Sequence, residues 1–140
     1  MRNFPRLVSK KLSPLFSTRK LLTAITPPFL PFYHTVSNQS LPHILNYPVI
    51  DEKQFKQELE FYLKYFKPVS LEELTKSAKP GTFHLSFDDG LKECTEIIAP
   101  ILLQKGIPAT FFVNSGFVDN KELFHRYKAS LIANKMRTQP

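Results

Sequence analysis

Two adjacent carboxylates followed by a glycine, Asp88-Asp89-Gly90, end an apolar run that begins at Thr82. If both acids face one cleft, one can hold a divalent metal while the other takes a proton from a metal-bound water, and that division of labour performs hydrolysis. The same three residues are also ordinary turn chemistry, and an Asp there can cap a following helix. Neighbouring side chains on a strand point to opposite faces, so the acids can share a site only if the backbone turns, which Gly90 permits. From the residues alone both readings stay open.

Nearby histidines would decide whether a metal can be held, and the chain has His34, His43, His84 and His125. No two of them are four residues apart, and only His125 follows the acids. By alternation His84 shares a strand face with Asp88, yet a satisfied structural histidine is the simpler expectation. His34 ends an aromatic run, where a place among strand ends is open but a structural role is simpler, and His125 reads as solvated. The lone cysteine, Cys94, excludes an internal disulfide and falls in a helical pattern as a small buried hydrophobe.

Elements that could position these residues are legible from periodicity. Phe29 to Val36 reads as a first strand, and Ser37 to Pro48 as a loop. Asp51 with Gln54 opens a helix from Glu52 to Phe66, whose apolar positions are Phe55, Leu59, Tyr62, Leu63 and Phe66. Ser70 with Glu73 opens a short helix ending near Lys76, and Lys79-Pro80-Gly81 turns the chain into a strand from Thr82 to Phe87. Leu91 to Lys105 is a helix kinked by Pro100 and stopped by Gly106, and it leads to an apolar strand from Ala109 to Asn114, as if covered on both faces. A last helix from Lys121 to Lys135 carries Leu123, Phe124, Tyr127, Leu131 and Ile132 as its apolar stripe. Strand, helix and apolar strand in succession form a right-handed βαβ unit, so the class is α/β, with Asp88 and Asp89 at a carboxyl strand end where such folds gather their chemistry.

The run FHLSFDDGLKECTEIIAPILLQKGIPATFFVNSGF resembles the start of the polysaccharide deacetylase domain (NodB homology, carbohydrate esterase 4), whose first motif is Ser/Thr-Phe-Asp-Asp-Gly. Phe32-Tyr33-His34 and the segment from Phe55 to Leu74 also resemble the family's N-terminal elements. The resemblance implies a distorted (β/α) barrel, Asp88 as catalytic base, Asp89 as a metal ligand, zinc as the usual metal, and an N-acetylated carbohydrate as substrate. It implies metal-dependent hydrolysis of N-acetyl groups, with O-acetyl groups also open. The family completes its metal site with a downstream His-x-x-x-His, which has no counterpart here. A closed barrel needs about eight strands and typically about 250 residues, so the expectation is an N-terminal part of a longer deacetylase, inactive by itself. A non-catalytic carbohydrate-binding or interaction module is the alternative.

Charge narrows the partners. No acidic residue precedes Asp51, and Arg2, Arg6, Lys10, Lys11, Arg19 and Lys20 account for six of the seven net positive charges. The excess therefore belongs to a basic arm, residues 1–28, ahead of a truncated barrel domain over 29–140, and no clustered basic face suggests nucleic acid. The arm mixes cations with leucines, so packing on the domain is expected, with weak contact to an anionic membrane surface or an organellar presequence as other uses. No apolar run of about 18 residues is long enough to span a bilayer, and no secretory leader is seen, which makes the cytoplasm the default expectation. An unpaired apolar strand edge near Phe111 and Phe112 should invite aggregation.

Overall fold

A computed structural model describes residues 27–138. The basic arm expected over residues 1–28, with its membrane contact, lies outside the described residues except for its last two positions. Five short strands are described: β1 (Phe32–Tyr33), β2 (Lys67–Pro68), β3 (Thr82–Phe83), β4 (Leu85–Phe87) and β5 (Ala109–Phe111). All pairings are parallel, in a three-stranded sheet of order β1-β4-β5 and a two-stranded pair of β2 with β3. The four α-helices are α1 (Glu52–Tyr65), α2 (Leu71–Lys76), α3 (Ala99–Lys105) and α4 (His125–Thr138). The expected α/β class with parallel strands is what the chain adopts.

Helix starts follow their caps. Asp51 accepts the Gln54 N–H at the head of α1, and Ser70 with Glu73 forms a reciprocal capping box on α2. Each such bond satisfies a backbone donor that a helix's first turn leaves without a partner. The apolar face of α1 buries Phe55, Leu59 and Tyr62 against the sheet. The helix expected from Leu91 to Lys105 changes its turn ahead of Pro100. The chain forms a π-turn over Cys94–Ile98, in which the Ala99 N–H reaches back to the Cys94 carbonyl, and α3 begins with proline in its first turn, where a missing N–H costs nothing. Gly106, at φ 63°, closes α3 in the left-handed cap predicted for it.

Several expectations are corrected. The first strand is confined to Phe32–Tyr33, with isolated bridges at Phe29 and Val36. The strand predicted from Thr82 to Phe87 is divided at His84, because its neighbour changes there: β2 flanks the first half and β5 the second. Pro68, which donates no backbone N–H, hid β2 from a reading by composition. β5 is shorter than predicted and is not covered on both faces; it lies at the sheet edge among the described residues, with Phe112 and Val113 beyond it 56% and 59% exposed. The last helix starts at His125 because Ser115–Asn120 forms a 3-10 turn ending on left-handed Asp119 and Asn120. Its predicted stripe is mostly at the surface: only Tyr127 and Ser130 are buried, while Ile132 is 62% exposed.

The core is aromatic where the sheet meets α1. Phe87, fully buried, stacks between Tyr33 at 5.7 Å and Phe111 at 5.0 Å, its register partners on either side, and Phe55 meets it edge-on at 6.1 Å. Offset and edge-on rings each add to their burial energy. Replacing Phe87 with alanine is expected to cost about 3–5 kcal/mol, measured as a lower urea midpoint with unchanged slope. Cys94 is buried as expected, and burial, then Glu93, pushes its thiol up to about 11. A raised thiol stabilises the fold fully below the ordinary range of about 8.5 and loses that contribution as pH climbs toward 11. Iodoacetamide should therefore alkylate Cys94 slowly at pH 8 in the native chain and rapidly in urea.

Candidate active site

The pairing of Tyr33 with Phe87 and of Phe87 with Phe111 sets what leaves the sheet. His34, Asp88 and Phe112 each follow one of those residues, so the three emerge side by side at the carboxyl ends of parallel strands. Two backbone bonds hold them there: the Asp88 N–H donates to the Tyr33 carbonyl at 2.9 Å, and the Phe112 N–H donates to the Phe87 carbonyl at 2.7 Å. The chain then turns through consecutive left-handed residues, Asp89 at φ 71° and Gly90 at φ 64°. That turn meets the condition the sequence posed, and both carboxylates line one open cleft of about 790 Å³ together with His34, Tyr47, Arg126 and Tyr127.

Asp89 is the better held of the two acids. Tyr127, from α4, donates its hydroxyl to Asp89 Oδ2 at 2.5 Å, and His34 Nε2 stands 4.0 Å from the same oxygen. Burial, and then the bond to Asp89, push the Tyr127 hydroxyl far above its ordinary range, so it remains a proton donor. The Tyr47 hydroxyl lies 3.5 Å from that of Tyr127, and its ring packs on the His34 ring with centroids 5.0 Å apart. Burial raises Tyr47 as well. Below the cleft, Glu93 is buried, and its Oε2 has no hydrogen-bond partner among the described residues.

The sequence singled out Asp88, Asp89 and three histidines, and the structure sorts them. His84 does not line the cleft: its Nδ1 meets the Val69 carbonyl at 2.8 Å and its Nε2 meets Thr110 Oγ1 at 2.9 Å, so the residue after β2 is tied to β5 through one ring. The carbonyl can only accept, so Nδ1 carries a proton and donates it to Val69. His125 is exposed, as expected. Tyr127 and Tyr47 were missed as site residues. Tyr127 was visible only as one member of a helical apolar stripe, and Tyr47 sits in a segment read as loop.

Whether these residues suit a divalent metal can be tested on the donors themselves. Asp89 supplies a carboxylate held by an outer hydrogen bond, as ligating carboxylates usually are. No group of three His, Cys, Asp or Glu side chains that could enclose an ion occurs among the described residues. A catalytic zinc normally takes about three protein ligands. Asp89 thus fits one corner of such a site, and the described residues do not complete it.

Residues 75–137 match the sequence model of the polysaccharide deacetylase family. The match covers a little under half of the chain, which is similar to that family over this segment. The matched segment contains Asp88, Asp89 and Tyr127. Among curated proteins, sequence comparison finds no match. In fold, the chain is similar to a de-N-acetylase from Aggregatibacter actinomycetemcomitans, with 24% identity and a TM-score of 0.54 over 69% of this chain and 41% of that one. It is also similar to IcaB from Ammonifex degensii, at 21% identity and a TM-score of 0.57 over 77% and 49%, and to the Streptococcus pyogenes deacetylase PplD in complex with acetate, at 21% and 0.56 over 77% and 54%. The chain spans about half the length of the solved structures it matches. The fold is accordingly that of a partial deacetylase barrel.

The turn at Asp89 and Gly90 admits little change. A Cβ built on Gly90 would sit 3.1 Å from both Val113 methyls in a conformation L-residues avoid. Gly90→Ala is expected to cost about 1–2 kcal/mol from the backbone conformation alone, checked as a lower urea midpoint.

Proposed function

We propose that the chain carries the N-terminal part of a metal-dependent deacetylase acting on an acetylated carbohydrate, with Asp88 as the general base and Asp89 as a metal ligand. The observation that supports this most directly is the left-handed turn at Asp89 and Gly90, which brings two carboxylates of different environment into one cleft. Asp89 accepts a hydrogen bond from a buried tyrosine, whereas Asp88 is held through its backbone. Acids so differentiated can divide the work of ligand and base.

A divalent ion at Asp89, zinc by the family resemblance, would supply a water acidified to a pKa of about 7. The chain's own contribution is to take the proton. Asp88 would accept it at a carboxylate oxygen as the water attacks the acetyl carbonyl, giving acetate and a free amine from an N-acetyl group, or an alcohol from an O-acetyl group. Tyr127 fixes the rotamer of Asp89, so that the two carboxylates keep separate tasks. Phe32 and Phe112, both largely exposed, flank the cleft and offer apolar faces to a sugar ring.

The remaining ligands of a working site are assigned to chain beyond these residues, in keeping with the share of each matched structure that is covered. By itself the 140-residue chain is then expected to release no acetate from N-acetylglucosamine oligomers. Extended to the end of its reading frame, it should release acetate in a reaction stopped by chelator and reduced at least about 100-fold by Asp88→Asn, the scale of a general base. Acetate release from the extended protein that Asp88→Asn leaves intact would remove Asp88 from this role. Glycan binding without acetate release would instead establish the non-catalytic module.

A further inference from the structure

We propose that Arg126 recognises a carboxylate on the glycan, so that the substrate class of the cleft is an acetylated carbohydrate that also bears an acidic group. The proposal rests on the reading of the cleft as a site for an acetylated carbohydrate. It adds a specificity contact from α4, apart from the acid pair.

Arg126 lines the cleft with Asp88 and Asp89, and among the described residues that do so it is the one permanently charged cation. An arginine beside acids usually pairs with one of them. The ion pairs of the described residues all join other side chains, and none uses Arg126. Residues 1–26 and 139–140, outside the described range, contain no acidic side chain that could neutralise it. The guanidinium therefore keeps its N–H donors for a ligand.

The side chain is nonetheless placed. Its neighbour Tyr127 is buried and donates to Asp89, which ties the first turn of α4 to the turn that carries the acids. The guanidinium carbon lies 5.8 Å from the centre of the Phe124 ring, within the range over which an aromatic face attracts a cation. A planar fork so supported matches a carboxylate through two parallel N–H···O bonds. Asn114, also at the cleft, has the same polarity: its Oδ1 accepts the Gly116 N–H at 2.9 Å, which leaves its amide NH2 for a ligand.

The cleft is thus divided by sign, with donors at Arg126 and Asn114 and acceptors at Asp88 and Asp89. An uncharged acetyl group can approach the acids, whereas a free carboxylate is repelled by them and drawn to Arg126. One cation matches a singly charged carboxylate. A phosphate, with up to two charges, would leave excess negative charge beside the acid pair. The competing explanation is a surface arginine that only adds to the general attraction of a basic chain for anions.

Nitrogen-15 NMR titration of the 140-residue chain with a hyaluronan tetrasaccharide, and with the same tetrasaccharide methyl-esterified at its carboxylates, separates the two. The expected result is a shift of the Arg126 side-chain Nε–H by the acid form, and an affinity about fivefold or more above that of the ester, the upper end for an exposed ion pair. Arg126→Gln should remove that preference. Lys128→Gln, which changes net charge equally on the same helix at another exposed position, should leave it intact. The Nε–H shift of the unaltered chain stands even if a variant folds poorly. Equal affinity for acid and ester, a preference that survives Arg126→Gln or falls equally with Lys128→Gln, or no binding of either sugar would overturn the proposal. Equal affinity accompanied by shifts at Asp88 and Asp89 would retire Arg126 and leave the carbohydrate reading in place. Arg126-dependent binding of tetragalacturonate, which has no acetyl group, as tight as that of the hyaluronan fragment would keep Arg126 as the anion contact and overturn the acetylated class.

Discussion

The stacking of Phe87 between Tyr33 and Phe111 is the constraint on which the site depends. Three rings from three parallel strands meet in register, and α1 closes over them through Phe55. Because parallel strands run in one direction, fixing those rings fixes where the following residues emerge. His34, Asp88 and Phe112 are therefore neighbours through core packing, although they are distant in sequence. The candidate site stands one residue beyond the hydrophobic core, and its geometry is set by that packing.

Asp89 shows how a local conformational cost can serve a site. A left-handed φ at a residue other than glycine is uncommon, and aspartate is among those that tolerate it. The short tyrosine bond from α4 compensates by giving the carboxylate a buried, charge-assisted partner. With a glycine next in the chain, the backbone reverses within two residues, and the second acid swings onto the same side as the first.

The elements that were legible in the sequence are those whose signals are local. The caps at Asp51 and Ser70, the stop at Gly106 and the βαβ order all depend on residues a few positions apart. What escaped depends on long-range partners. β2 holds Pro68 and too few residues for periodicity, and its pairing with β3 spans a helix and a turn. The apolar residues of α4 formed a plausible stripe, yet Leu131 and Ile132 are exposed, and the buried residues of α4 are Tyr127 and Ser130. Tyr127 and Tyr47 reach the cleft across 38 residues or more of intervening sequence from Asp89 or from one another, beyond any motif. Asp88 and Asp89 were legible as a pair, but their shared cleft came from a turn that the residues permitted without requiring.

The manner in which α4 is attached bears on the order in which the molecule assembles. Strands β4 and β5, with the helical segment between them, can close on one another through a short connection, whereas Tyr127 must return to a residue 38 positions earlier. Contacts separated by more chain cost more closure entropy and tend to form later. With little else buried, α4 also belongs to the parts of a protein that open most readily. The acid pair thus acquires its final environment only when the last helix arrives, and Asp89 is the first group to notice when that helix departs.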